Sequence, residues 1–90
     1  MEKRIEIFET DNLGKIKPYS FYGCNDLREI VLNVDWIVTL EDINAFENSS
    51  IKNSSDKGFI YVPEKHLEGY KTAANWSQFK NKIKSIEERE

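Results

Sequence analysis

The segment 19–32, with the sequence YSFYGCNDLREIVL, decides the predicted fold because part of it occurs twice in the chain. Its first half is echoed at 43–51, INAFENSSI, so that Phe21 and Phe46 lie 25 positions apart, as do Cys24 and Ser49. The next interval is longer, which indicates an insertion in the Asn- and Ser-rich loop 48–58. A period in the twenties is typical of repeat proteins in which every unit contributes one short strand.

The rest of the chain divides into short strands followed by a helical end. The alternation of apolar and polar residues at 5–7 and the short strand-type runs at 30–32 and 59–62 predict strands, and Pro63 ends the third of them. Apolar residues at helical spacing predict a helix over 64–73, and Asn75 is a candidate N-cap for a second short helix. The run 83–86 is compatible with a last strand or a helix end, and we interpret 87–90 as a solvated tail.

The residues of 20–32, read as Ser-Phe-Tyr-Gly-Cys-x-x-Leu-x-x-Ile-x-Leu, resemble the BspA-type bacterial leucine-rich repeat. The segment 45–49 matches the start of that repeat again, and 59–79 is similar to the cap that closes such arrays. The resemblance covers roughly residues 5–86. It implies an α/β repeat fold, a short leucine-rich-repeat solenoid of about three units with a helical C-terminal cap. Residues 1–63 would form the degenerate repeats and 64–90 the cap, in one structural domain.

Side chains of a strand alternate between its two faces, which places one set in the core and the other outside. We expect the inward set to be Ile5, Ile7, Leu27, Ile30, Leu32, Ile60 and Val62. Arg4 and Glu6 would face outward with the predicted ligand-binding residues, which are Arg28, Glu29, Val31, Phe59 and Tyr61. The alternative is that these are ordinary solvated strand positions.

Composition excludes several classes of protein and site. The 90 residues hold 13 Lys and Arg against 16 Asp and Glu, a net charge of -3, so the basic footprint of a nucleic-acid-binding protein is absent. One Cys and one His rule out a disulfide framework and a Cys/His zinc site, and we expect no metal and no cofactor. No apolar stretch approaches the roughly 18 residues of a membrane span.

Single residues have mainly structural interpretations. We expect Cys24 to be a small core residue, Phe21 and Phe46 to stack, and Tyr70 and Trp76 to fill the core of the cap. His66 is interpreted as a solvated helix residue. Two alternatives stay open for Trp36, which either packs between repeat units or is exposed as a contact aromatic.

The N-terminal edge lacks a recognisable cap, and Glu2 stands where the repeat would place an apolar residue. Three outcomes follow: a truncated array, a minimal cap of charged residues, or self-association through the open edge. A homodimer through this edge is the leading expectation.

No acid/base or nucleophile constellation appears, so we expect no enzyme. The predicted function is a non-catalytic, adhesion-like protein-interaction module of a bacterial protein, binding a protein partner through its strands. The alternative is a stand-alone intracellular or phage-derived protein of unknown role. The resemblance implies relatives at the cell surface or secreted, whereas this chain shows no signal peptide, which leaves the cytoplasm as the other location.

Overall fold

Short parallel strands organise the fold, which a computed structural model describes for residues 5–89. The strands are β1 (Ile7–Thr10), β2 (Lys15–Ile16), β3 (Glu29–Leu32), β4 (Thr39–Leu40), β5 (Phe59–Val62) and β6 (Ile83–Ser85). The chain also has two α-helices, α1 (Ser50–Asn53) and α2 (Leu67–Thr72). Four 3₁₀ helices are present in addition, at Ile43–Phe46, Glu64–His66, Trp76–Lys82 and Ile86–Glu88.

Four of the strands form one parallel sheet in the order β1-β3-β5-β6. Ile7 lies opposite Glu29, Ile30 opposite Ile60, and Ile60 opposite Ile83. Strands β2 and β4 form a separate two-stranded parallel sheet. Parallel neighbours need long crossover connections, and here the intervening segments supply them.

The fold-class prediction of a leucine-rich-repeat solenoid of about three units with a helical cap is wrong. The chain is a small compact α/β domain with a four-stranded parallel sheet and few, short helices. Its Cα radius of gyration is 11.8 Å, close to the roughly 12 Å of a compact chain of this length. Paired residues lie 22, 30 and 23 positions apart along the sheet, so the connections differ in length and no common 25-residue unit spans it.

The first strand has a different register from the predicted one. Ile7 was expected to face the core in line with Leu32, but it lies opposite Glu29 and is 43% exposed. Phe8 takes the inward position instead, packs against the core, and contacts Phe21 with ring centroids 5.3 Å apart. The register is shifted by three residues, from the predicted interval of 25 to 22, and a shift by an odd number of residues exchanges the two faces of a strand. Burying the larger Phe8 ring favours this register. Arg4 lies outside the described residues.

The two similar segments, 19–32 and 43–51, lie next to each other and are joined by backbone hydrogen bonds. The Phe21 N–H donates to the Ala45 carbonyl oxygen at 2.8 Å, and the Ser50 N–H donates to the Cys24 carbonyl oxygen at 3.2 Å. The Phe21 and Phe46 rings stack with centroids 5.8 Å apart, as predicted. Cys24 is fully buried, which confirms its interpretation as a core residue.

The segment that follows Pro63 is less helical than predicted. The expected helix over 64–73 is a 3₁₀ turn followed by α2, and β6 pairs with β5, which decides the open alternative for 83–86 in favour of a strand. Asn75 makes no N-cap hydrogen bond; its Nδ2 donates to the Leu40 carbonyl oxygen at 2.6 Å. Tyr70 and Trp76 are buried with ring centroids 5.3 Å apart, which confirms their core role.

One contiguous hydrophobic core lies behind the four-stranded sheet. The inward residues of β3, β5 and β6 are buried, Phe8 of β1 packs against them half-buried, and aromatic residues outside the strands complete the core. The core comprises Ile16, Phe21, Cys24, Leu27, Ile30, Leu32, Val34, Val38, Leu40, Ala45, Phe46, Ile51, Ile60, Val62, Tyr70, Trp76, Phe79 and Ile83. The opposite side of the sheet is therefore the surface on which the predicted binding residues must be sought.

Candidate functional site

The outward side of the four-stranded sheet, which we call the strand face, presents two rows of side chains. The strand register places Ile7, Glu29 and Phe59 side by side in the first row. The second row contains Glu9, Val31, Tyr61 and Lys84. All five predicted ligand-binding residues belong to these rows or precede them, but the two rows differ in accessibility.

The first row is open to solvent. Ile7 is exposed, Glu29 and Phe59 are half-buried, and Arg28 is exposed just before β3. Arg28 Nε lies 3.8 Å from Glu6 Oε1, so a charged pair borders the row. The structure thus brings Glu29 and Phe59 together on one accessible part of the strand face, and the exposed Arg28 immediately precedes β3.

The second row is covered, and the prediction that Val31 and Tyr61 form an exposed apolar strip is wrong. Val31 is 1% exposed and Tyr61 9%. The C-terminal segment, residues 86–89, follows β6, and its Arg89 contacts Glu29 on β3 and Glu9 on β1, beside the second row. Glu87 and Glu88 are exposed, as the interpretation of 87–90 as a solvated tail predicts, whereas Arg89 is half-buried and bonded to the sheet.

Arg89 holds the C-terminal segment to the sheet. Its Nε donates to Glu29 Oε1 at 2.7 Å, and one of its terminal nitrogens lies 3.7 Å from Glu9 Oε1. The hydrogen bond to Glu29 raises the pKa of Arg89 further, so the guanidinium stays charged. A capping box at Ser85 and Glu88 orders the 3₁₀ turn that carries Arg89.

Two lysines flank Phe59 at the other side of the first row. Lys82 Nζ and Lys84 Nζ each lie 5.1 Å from the centroid of the Phe59 ring, within cation–π range. Lys82 Nζ also donates to the carbonyl oxygens of Ser50, Lys57 and Gly58 at 3.2, 2.7 and 3.0 Å. Burial lowers the pKa of Lys82, and the negative charge of Asp56 offsets part of this lowering. The ring is thereby held in a fixed position.

The sequence reasoning missed three cations at this site. The sequence left 83–86 open between a strand and a helix end. The strand interpretation, with its alternation of faces, would have placed Lys84 beside Tyr61 on the outward side. Lys82 precedes the strand, and Arg89 lies 60 positions from the Glu29 that it bonds, so no local pattern could place either of them.

His66 is more enclosed than predicted. Its side chain is 23% exposed, and its Nε2 lies 3.6 Å from Asp35 Oδ1. Lys65 forms a hydrogen-bonded ion pair with the same carboxylate, which lowers the pKa of Asp35. Trp36 matches the exposed alternative, at 45% exposure, with its Nε1 donating to the Leu13 carbonyl oxygen at 2.8 Å. Residues 5–89 contain no group of three or more His, Cys, Asp or Glu side chains placed to hold a metal ion.

Among residues 5–89, no helix combines the length and the apolar character that crossing a membrane requires. Comparison with known proteins finds no matching family model, no matching curated protein and no matching solved structure. Membership of the BspA-type family, a bacterial origin and a location at the cell surface or outside the cell therefore stay predictions.

Proposed function

We propose that the chain is a non-catalytic protein-interaction module that binds a protein partner through the first row of the strand face. The observation that carries the proposal is the placement of Ile7, Glu29 and Phe59 next to one another on three parallel strands. Arg28 borders this row at the start of β3. An exposed isoleucine and an aromatic ring are thus combined with charged groups of both signs.

The rigidity of the row favours binding. Two lysine ammonium groups lie within cation–π distance of Phe59, and Glu29 is hydrogen-bonded to Arg89, so little side-chain freedom is left to lose on association. Aromatic and arginine side chains are preferred anchors at protein interfaces. The flanking ion pairs add electrostatic selection of the partner.

The size of the row limits the affinity that it supports. With Val31 and Tyr61 of the second row buried, the accessible patch is small, and one copy would bind weakly unless several copies act together. The predicted homodimer through the N-terminal edge stays a separate prediction. Its edge strand among the described residues is β1, whereas Glu2 lies outside them.

The test is selection of binding peptides from a displayed random library, followed by affinity measurement for strand-face variants. Ile7→Ser and Phe59→Leu should each weaken the selected peptides several-fold. Ile43→Ser is the matched control, because Ile43 is 42% exposed, like Ile7 at 43%, but lies outside the strand face. Peptides that bind Ile7→Ser and Phe59→Leu as tightly as the original chain would contradict the proposal.

Sedimentation equilibrium of the same proteins separates partner binding from self-association. A dimer that dissociates in Ile7→Ser would point to pairing of two copies along β1. A monomer that still binds the selected peptides would support the proposed interaction module alone.

A further inference from the structure

The turn at 17–20 places a tyrosine where the backbone favours glycine. Pro18 is followed by Tyr19 at φ 61°, and the Ser20 N–H donates to the Lys17 carbonyl oxygen at 3.2 Å. Proline followed by a residue of positive φ is the arrangement of a type II turn, whose third position normally holds Gly or Asn. A bulky side chain in this region costs conformational energy, and such costs concentrate at functional sites.

The Tyr19 ring contributes little to the fold. It is 56% exposed, and its ring contact is with Tyr22, at a centroid distance of 5.9 Å and an interplanar angle of 69°. Tyr22 is itself 46% exposed, and its hydroxyl accepts a hydrogen bond from Asn48 Nδ2 at 3.0 Å. The strained turn thus holds a second aromatic ring nearly perpendicular to a ring that is already positioned.

The two tyrosines border a concavity of about 620 Å³ whose other lining residues are Asn44 and Glu47. The Asn44 Oδ1 atom is buried and accepts no hydrogen bond within the described residues. The Glu47 carboxylate contributes negative charge, and its Oε1 is 2.8 Å from Lys52 Nζ. The lining therefore offers two aromatic rings and a carboxylate, and none of the lining residues is cationic.

We propose that this concavity, which we call the tyrosine pair site, binds an alkylammonium group such as a lysine or methylated lysine side chain of a partner. The face of an aromatic ring attracts cations, and two rings at a large angle present such faces from two directions. Lys52 neutralises part of the Glu47 charge, so the rings supply the main attraction. The tyrosine pair site lies outside the strand face. Its proposed binding of an ammonium group does not depend on the function proposed for the strand face.

The test is an NMR titration of the full chain with choline, with butylammonium, and with 3,3-dimethyl-1-butanol, the neutral isostere of choline. We expect saturable shifts of the Tyr19 and Tyr22 ring resonances with millimolar Kd for the cations. The N-methyl protons of choline should move upfield, and the neutral isostere should bind several-fold more weakly. Choline and butylammonium differ in their N–H groups, so their ranking shows whether the site prefers methylated or unmethylated ammonium. Equal binding of the isostere, or no binding of either cation, would overturn the proposal.

Three variants separate binding from folding. Tyr19→Gly should abolish cation binding and leave the melting temperature unchanged or raised, because glycine suits the turn. Tyr19→Phe should keep the binding, and Ile7→Ser on the strand face should leave it unaltered. Unchanged choline binding by Tyr19→Gly would refute the site, and a marked fall in its melting temperature would assign the Tyr19 ring to the fold instead.

Discussion

The Tyr70 hydroxyl accepts a hydrogen bond from the backbone N–H of Val38 at 2.9 Å, although the two residues lie 32 positions apart. The same hydroxyl donates to the Trp36 carbonyl oxygen at 3.2 Å, and Trp76 Nε1 donates to the Val38 carbonyl oxygen at 2.6 Å. Val38 is fully buried just before β4. Two aromatic side chains of the C-terminal segment therefore satisfy the backbone of a core residue.

Replacing Tyr70 by Phe should destabilise the protein. The change leaves the buried Val38 N–H without its acceptor, which costs about 1–3 kcal/mol in the free energy of unfolding. Urea denaturation measures the loss. Tyr22→Phe is the matched control, since its hydroxyl makes an exposed hydrogen bond, and its cost should stay below about 0.5 kcal/mol. Equal losses in the two variants would show that the contact with Val38 contributes nothing specific.

Tyr70 should also make stability fall in alkaline solution. Burial raises the pKa of its phenol above the ordinary value of 10.0, so the unfolded chain loses this proton first. The contribution is fully present below about pH 10 and is lost as the pH rises through the folded-state pKa. Unfolding free energies across this range should fall less steeply in Tyr70→Phe than in the original protein or in Tyr22→Phe. Identical slopes for all three proteins would be inconsistent with the raised pKa.

Asn75 combines an unusual backbone with a side-chain hydrogen bond. It has φ 68° and ψ -42°, and the Trp76 N–H donates to the Ala74 carbonyl oxygen at 2.7 Å, the arrangement of a γ-turn. Asn75→Gly should lose only the hydrogen bond to Leu40, about 1 kcal/mol. Asn75→Ala should cost about 1 kcal/mol more, because alanine tolerates positive φ poorly. Thermal and urea unfolding would test this order, and an Ala variant as stable as the Gly variant would contradict it.

Gly23 and Gly58 form a matched pair for a backbone test. Both have positive φ, 77° and 78°, but a Cβ at Gly58 would lie 2.7 Å from the Ser50 carbonyl carbon, whereas none of the described atoms lies within 4 Å at Gly23. Gly23→Ala should cost about 1 kcal/mol from backbone strain alone. Gly58→Ala should cost on the order of 3 kcal/mol, because α1 must also shift. Comparable losses in chemical denaturation would mean that the close approach at Gly58 relaxes easily.

The ion pair between Arg89 and Glu29 should couple more strongly than an exposed pair. Both side chains are about one quarter exposed, compared with 57% and 34% for Lys15 and Glu41. Double-mutant cycles with Arg89→Gln and Glu29→Gln, and with the corresponding Lys15 and Glu41 changes, measure the two couplings. The Arg89 pair should also retain more of its coupling in high salt. If the two pairs couple equally, Arg89 does not fix the C-terminal segment.

The repeat pattern predicted the local packing better than the global fold. Phe21 and Phe46 stack and Cys24 is buried, because like residues of the two echoing segments share one environment. The same reasoning extended a 25-residue interval to β1, where the actual interval to β3 is 22. The spacing of Ile5 and Ile7 is compatible with an inward face of the strand. The contact of Phe8 with Phe21 shows that Phe8, and not Ile7, is the inward residue of β1.

The candidate site was predicted in part for a similar reason. Alternation along β3 and β5 correctly places Glu29 and Phe59 on the outward side of the sheet. It also places Val31 and Tyr61 there, and geometrically they are on that side. They are nevertheless buried, and strand periodicity carries no information about distant contacts such as that between Arg89 and Glu29, which are 60 positions apart.

The burial of Cys24 has a practical use in spectroscopy. It is the single cysteine of the chain, and it is 0% exposed, so thiol reagents should not reach it in the native protein. A second cysteine placed at an exposed residue such as Lys80 would then accept a maleimide fluorophore or a nitroxide spin label selectively. Distances and mobilities on the surface could be recorded without first replacing the native thiol and disturbing the packing around Phe21 and Phe46.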